Sequence, residues 1–217
     1  MKNIVKKHPK YSVAVLLLFV AAALFLTFSD DYYKVFSENI VPELVGVAVE
    51  LAIIIFVFDW IAKRQEKRKA REMEKRAREY LRFIVVNIMK SERLFEQLMV
   101  EYPRARAYQL DRKKFQFFAK DRVESSTLID HLINVLKSND TEAVASHIKL
   151  HLKHDLASFH SFAPVVAQIS EKHMKIWGRI IFFITKTVDS DDTINNVVEV
   201  LEKIKKFDEQ TEVEFKI

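Results

Sequence analysis

The stretch IVPELVGVAVELAIIIFVFDWIA, residues 40–62, decides the fold class of this chain. At the rise of an α-helix it is roughly 34 Å long, enough to cross the ~30 Å hydrocarbon core of a bilayer. A second, uncharged stretch, YSVAVLLLFVAAALFLTF, occupies residues 11–28. A cleaved signal peptide is the alternative for it, but its apolar run exceeds the usual length of about 7–15 residues. The two stretches predict an N-terminal transmembrane helical hairpin, residues 1–62.

The distribution of charge predicts the orientation of this hairpin. Four lysines precede the first stretch, six basic residues follow the second, and the loop at 29–39 holds only Lys34. Because basic residues are retained on the cytoplasmic side, both termini are expected in the cytoplasm, with the hairpin in a bacterial inner membrane. The six basic residues after the hairpin are also expected to contact lipid headgroups. They are Lys63, Arg64, Lys67, Arg68, Lys69 and Arg71.

The second stretch carries acidic residues on one helical stripe. The stripe steps by three or four residues, and its members are Glu43, Gly46, Glu50, Ile53 and Val57. A charged side chain at mid-bilayer costs at least about 2.5–3.5 kcal/mol, so it normally faces protein or a water-filled cavity. The first stretch offers no basic partner. The pattern therefore predicts a pore lining or a seam between copies. The alternative is a closed, inert bundle in which Glu50 is protonated and bonded to a neighbour.

The remainder of the chain predicts more helices, so the fold class is all-α. Residues 63–102 read as a basic juxtamembrane stalk helix that ends at Pro103, with Glu72 and Glu74 in solvated i,i+4 pairs. Residues 103–217 read as a cytosolic helical bundle. Pro164 is expected to begin one of its helices, and a last helix is expected at about 192–207, followed by a frayed tail. The apolar side chains expected to form the packing seam are Ile84, Ile88, Phe95, Leu98 and Tyr102.

No catalytic, cofactor or metal site is predicted. The 217 residues include no Cys and 2 Gly, which excludes thiolate catalysis and glycine-rich phosphate loops. His147, His151 and His154 share a helix flank without an HExxH pattern, so ordinary polar positions are the favoured interpretation. Arg122 and His131 are too far apart in sequence for the signature of a HEPN-type RNase. Residues 83–217 contain 20 basic and 20 acidic side chains, so no direct nucleic-acid binding is expected.

The segment at residues 36–71, FSENIVPELVGVAVELAIIIFVFDWIAKRQEKRKAR, resembles small bacterial proteins with two transmembrane helices and a cytosolic helical domain. Several of these proteins are membrane effectors of phage-defence systems, including retrons. The resemblance implies an effector that stays silent until it is triggered and then compromises the inner membrane.

The predicted function is therefore a homo-oligomeric inner-membrane effector that permeabilises or depolarises the membrane in antiphage, abortive-infection defence. Control is expected through the cytosolic bundle, by a regulatory protein or a ribonucleoprotein. The alternative is a membrane-anchored scaffold or sensor that binds a cytosolic protein. The lipid bilayer and further copies of the chain are the other expected partners.

Overall fold

The computed structural model describes residues 20, 34–106, 122–138 and 142–215, and the all-α prediction is confirmed for them. The first predicted transmembrane helix, residues 11–28, lies outside the described residues except for Val20. The longer helices are α1 Lys34–Met89, α2 Glu92–Glu101, α3 Arg122–Ser138, α4 Glu142–Ala167, α5 Glu171–Asp189 and α6 Thr193–Phe215.

The first of these helices is longer at its start than the sequence predicts. It begins at Lys34, so Pro42 lies inside α1 and not in its first turn. Proline has no N–H, so it removes one helical hydrogen bond, a loss that apolar helices often accommodate. The helix also takes in part of the segment expected to be a loop at 29–39.

The chain divides into two compact units, residues 1–68 and 69–217. The second unit contains the last part of α1 together with α2 to α6. Within it α5 packs against both α4 and α6, while α3 contacts α2 and α6. The three largest fully buried side chains of its core are Trp177, Phe159 and Phe207.

The part of α1 expected to be a solvated stalk packs into this core. Ala77, Leu81, Ile84 and Ile88 are all buried, and Met73 packs against the same cluster. These positions recur every three or four residues, so one face of the helix is apolar despite the many charges around it. The prediction of a solvated helix is therefore wrong for residues 73–82, whereas the burial of Ile84 and Ile88 agrees with the predicted packing seam.

The single helix predicted for residues 63–102 is interrupted at Lys90 and Ser91. Their N–H groups donate to the carbonyls of Asn87 at 3.3 Å and Ile88 at 3.4 Å, which tightens the last turn of α1. The helix α2 then starts as the Phe95 N–H donates to the Ser91 carbonyl at 2.9 Å. Of the seam residues, Tyr102 is half-buried and the other four are buried, so the new direction lets α2 join the same core.

The prediction that Pro164 begins a helix is wrong. Pro164 lies inside α4, which continues to Ala167, and α5 begins only at Glu171. The start of α5 is set by Ser170, whose side chain accepts a hydrogen bond from the His173 N–H at 3.3 Å. A serine N-cap satisfies a backbone donor that a proline at the start leaves open.

The prediction of a frayed tail is also wrong. The helix α6 continues to Phe215, and Thr211 in its last part is fully buried. Tertiary packing of Phe207 and Thr211 therefore fixes a segment whose sequence alone has weak periodicity.

Candidate functional site

Within the described residues one helix, α1, is long and apolar enough to cross a membrane. Its segment from Val45 onward includes an 18-residue window with a mean hydropathy of 2.3. Core helices of soluble proteins can be equally apolar, but they are mostly buried. Only 11% of this window is buried within the chain, so its apolar surface is available to lipid or to another protein.

The predicted acidic stripe lies on an exposed face of α1. Glu43, Gly46 and Glu50 are exposed, and so are Ile53 at 57% and Val57 at 46%. A Cβ atom placed on Gly46 would meet no other atom within 4 Å. Among the residues that the structure describes, no hydrogen bond or ion pair reaches Glu43 or Glu50. The stripe therefore forms an unpartnered face with two carboxylates on it.

The covered face of the same segment lies on the opposite side of the helix. Ala52 is only 5% exposed, and Val45, Ala48 and Ile55 are half-buried. Each lies two residues beyond a member of the acidic stripe, which is about 200° around an α-helix. Small residues such as these two alanines permit close helix packing.

The basic residues after the apolar segment are exposed, as the sequence predicts for headgroup contacts. Two of them interact with the end of the apolar segment. The Lys63 ammonium lies 2.7 Å from a carboxylate oxygen of Asp59, on the covered side of α1. The Arg64 guanidinium lies 5.4 Å from the ring centroid of Trp60. Both the ion pair and the cation–π contact link this basic cluster to the apolar segment.

A buried polar network, absent from the sequence prediction, lies in the second unit. It joins α1, α5 and α6 through Glu74, Arg78, His173 and Thr211. Glu74 Oε1 accepts from the Arg78 Nε–H at 2.7 Å, and Arg78 Nη2 also contacts it. The Thr211 hydroxyl lies 2.8 Å from the same oxygen. Glu74 is only 1% exposed, so the solvated ion pair expected from sequence is in fact a buried one.

The hydroxyl and imidazole groups of this network form a chain of hydrogen bonds in which donors and acceptors can be assigned. If the Thr211 hydroxyl donates to Glu74, its oxygen is free to accept from the His173 Nε2–H, 3.1 Å away. His173 Nδ1 then accepts from the Ser170 hydroxyl at 2.8 Å. This arrangement requires a neutral imidazole protonated at Nε2.

The neutral state of His173 has a physical cause. Burial, and to a lesser extent the nearby positive charge of Arg78, lowers its pKa to about 4. The other carboxylate oxygen of Glu74, Oε2, is buried and has no hydrogen-bond partner within the described structure. The network is therefore a neutral imidazole beside a buried ion pair, which suits a structural link between helices better than a proton-transfer site.

The sequence contains a signal for this network that the stalk interpretation missed. Glu74 precedes Ala77 by three residues and Leu81 by seven, so it is in register with the buried face of α1. A carboxylate on a core face predicts a buried partner. The partner Thr211 lies in the tail that was expected to fray, so its role could not be read from local sequence.

Two of the three histidines that share a flank of α4 lie side by side. His147 and His151 have ring centroids 4.5 Å apart, and burial together with the charge of His147 lowers the pKa of His151. Asp155 accepts a hydrogen bond from the Asn87 amide at 2.6 Å and so contributes to the packing of α4 on α1. No group of three or more potential metal-ligating His, Cys, Asp or Glu side chains occurs in the part of the chain that the structure describes.

In the part of the chain that the structure describes, the protein is all-helical, with one candidate membrane-spanning helix and a second helical unit. No protein-family model matches the chain, and no curated protein or solved structure has significant similarity to it. The likeness to retron effectors therefore stays a prediction from the sequence.

Proposed function

We propose that this chain is a homo-oligomeric effector of the bacterial inner membrane, which permeabilises or depolarises that membrane. The observation that carries the proposal is the placement of Glu43 and Glu50 on the exposed face of α1, opposite the covered Ala52. Because lipid cannot solvate a carboxylate, copies that pack around this face remove both groups from the acyl chains. The stripe then lines a water-filled path or a seam between copies.

The surrounding residues support a membrane-spanning position for this part of α1. Trp60, which is exposed, and Arg64 lie at the end of the apolar segment, where aromatic and basic side chains favour the headgroup region. The exposed basic cluster that starts at Lys63 follows directly, which supports a cytoplasmic position for this end of the span. The two termini are then both cytoplasmic if residues 11–28 form the first span.

The biological role proposed is antiphage, abortive-infection defence, on the basis of the sequence resemblance. Residues 69–217 form the unit through which a cytosolic regulatory protein or a ribonucleoprotein controls the effector. Because α1 runs from the apolar segment into the core of that unit, a partner bound to the unit acts on the same helix that carries the acidic stripe.

Membrane potential in bacterial cells after induced expression tests the proposal. Wild-type protein is expected to depolarise the membrane rapidly, and Glu50→Gln is expected to blunt this effect at matched expression. The control is Glu66→Gln, an exposed carboxylate of α1 beyond the apolar segment, which should behave as wild type. Equal depolarisation by wild type and Glu50→Gln would contradict a role for the stripe.

The second candidate is a membrane-anchored scaffold or sensor. It is favoured by the compactness of residues 69–217, which have a core of their own. In this case an unrelated two-helix anchor in place of residues 1–62 should preserve function. The effector proposal predicts that the same replacement abolishes depolarisation.

A further inference from the structure

The exposed face of α5 carries a row of four basic side chains with one phenylalanine among them. Its members recur every three or four residues, and all are exposed: Lys172, Lys175, Arg179, Phe182 and Lys186. We call these residues the basic stripe. No acidic residue occurs between positions 172 and 188. Since residues 83–217 are neutral as a whole, this charge is concentrated on one helix and balanced elsewhere.

The direction of the basic stripe is fixed by the opposite face of α5. There Trp177, Ile180 and Ile184 are fully buried, so the helix cannot rotate without opening the core. Phe182 is 53% exposed in the middle of the stripe, and the Lys186 ammonium lies 5.1 Å from its ring centroid. Exposed aromatic side chains and arginines, such as Phe182 and Arg179 here, are enriched at protein contacts.

Most charges of the basic stripe have no acidic partner among the residues that the structure describes. Lys175 pairs with Glu171 at 2.6 Å. In the described residues no ion pair joins Lys172, Arg179 or Lys186 to an acidic side chain. Lys172 and Lys175 also lie near the N-terminus of α5, where the helix dipole disfavours positive charge. The helix dipole therefore does not explain Lys172 or Lys175, although it favours Lys186 in the last turn of α5.

The end of α6 has the complementary character. Residues 208–214 contain four acidic side chains and no basic one. Three of them are exposed and surround Val213, which is itself 68% exposed. We call this group the acidic end: Glu209, Glu212, Val213 and Glu214. Negative charge near a helix C-terminus is disfavoured by the dipole, so the acidic end, like Lys172 and Lys175 in the basic stripe, is placed unfavourably on its own helix.

We propose that the basic stripe of one copy binds the acidic end of α6 in a second copy. The two surfaces are opposite in charge, each has an exposed apolar side chain at its centre, and no ion pair joins them within one chain in the described structure. This inference rests on the proposed homo-oligomer, and it adds a contact between the helical units to the seam along α1. Charge complementarity of this kind fixes the register of a contact more than it adds affinity.

Cross-linking between two differently tagged copies tests the contact, because the chain has no cysteine of its own. One full-length copy carries Phe182→Cys and the other Val213→Cys, and a flexible bismaleimide joins them in native membranes. The wild-type background is expected to give a strong cross-linked heterodimer. Reversing the stripe with Lys172→Glu and Arg179→Glu in the first copy should reduce the yield about tenfold.

A charge swap separates recognition from folding damage. Glu209→Lys and Glu212→Lys in the second copy should reduce the yield when its partner has the native stripe. When both reversals are combined, one in each copy, the yield should return to within about twofold of wild type, because the opposite charges again face each other. The matched control is Lys137→Glu with Lys153→Glu in the first copy, two exposed residues outside the stripe, which should leave the yield unchanged.

Three outcomes would overturn the inference. Either an undiminished yield after stripe reversal or a swap that fails to restore the yield contradicts the proposed pairing. Single-stranded RNA that copurifies with wild type and is lost on stripe reversal, with no cross-link in either, would assign the stripe to nucleic acid. Cross-linking through Ile53→Cys in α1 reports the seam separately, so failure of the bundle contact and failure of the proposed oligomer give different results.

Discussion

Glu50 and Glu74 lie on the same helix, both among apolar side chains, but they differ in burial and in the number of polar groups that bind the carboxylate. Glu74 is buried in the second unit, where Arg78 and Thr211 bind one of its oxygens. Glu50 is exposed in the apolar segment, and no hydrogen bond or ion pair reaches it within the described residues. The chain itself compensates the desolvation of Glu74. If α1 spans a bilayer, compensation for Glu50 comes from outside the chain, from water or another copy.

Among the changes that test this comparison, removal of the Glu74 carboxylate is expected to have the largest effect on the free energy of unfolding. Glu74→Ala leaves the buried guanidinium of Arg78 without its main partner, and the expected loss is about 3–5 kcal/mol in the free energy of unfolding. Denaturant unfolding of the full chain in detergent, followed by circular dichroism, measures it. A loss below about 1 kcal/mol would mean that the network is not a structural link.

Acid should act on the same network through His173. Its pKa is about 4 in the fold and 6.5 in the unfolded chain, so the unfolded state binds the extra proton between these values. Stability is therefore expected to fall by about 3 kcal/mol as the pH drops from 6.5 to 4. The charged groups linked to this ring on the packed helices are Arg78 and Glu74 of α1 and Asp208 of α6, which lies 3.7 Å from the Arg78 guanidinium.

Variants isolate the contribution of this imidazole. In His173→Gln the fall in stability between pH 6.5 and 4 should be much smaller than in wild type, because no group with a strongly lowered pKa is left at this position. His160→Gln, at an exposed position of α4, should keep the wild-type profile. Parallel profiles for wild type and His173→Gln would show that the acid sensitivity has another source.

A smaller loss of stability is expected when the Thr211 hydroxyl, which links Glu74 to His173, is removed. Thr211→Val removes both the donor to Glu74 and the acceptor for His173 while keeping the side-chain shape. The expected loss is about 2 kcal/mol. Thr185→Val is the matched control, since that hydroxyl binds only the carbonyl of its own helix, at 2.9 Å from Ile181. Equal losses in the two variants would deny Thr211 a special role.

The smallest change in the free energy of unfolding is expected when a solvent-exposed carboxylate is removed. Glu72 lies two residues before Glu74 on the exposed side of α1. Glu72→Ala should change the free energy of unfolding by at most about 0.5 kcal/mol, because exposed helix pairs contribute little. A much larger loss in the same unfolding measurement would show that the difference in solvent exposure between Glu72 and Glu74 does not determine how much each contributes to stability.

The sequence alone predicts the helices well where periodicity and length are strong. The apolar segment, the acidic stripe and the buried positions of Ile84, Ile88 and Leu98 follow from spacing that local sequence contains. Leu128 and Leu132 on α3 are buried, but Val123 on the same helix, which is also apolar, is 83% exposed. It lies in the first turn of its helix, where periodicity is a weak guide to the packed face.

The features that sequence did not predict depend on contacts between distant residues. Thr211 and Glu74 are 137 positions apart, so the contact that orders the helical tail is not visible in a local window, although the register of Glu74 with the buried face of α1 is. Proline favours the first turn of a helix, so its presence at position 164 wrongly predicts a helix start there. The helix α4 continues through Pro164 because residues before and after it in the chain, Phe159 and Val166, are buried in the core. Ser170 carried the correct start signal six residues later.

The most direct test of the central claim is disulfide cross-linking between copies along α1 in native membranes. Ile53 lies on the acidic stripe and Ile55 on the covered face, and both side chains are isoleucine in a cysteine-free chain. If copies meet around Glu50, oxidation should join Ile53→Cys copies into dimers and leave Ile55→Cys copies mostly monomeric. Equal cross-linking from both faces, or none from Ile53→Cys at matched expression, would contradict the account.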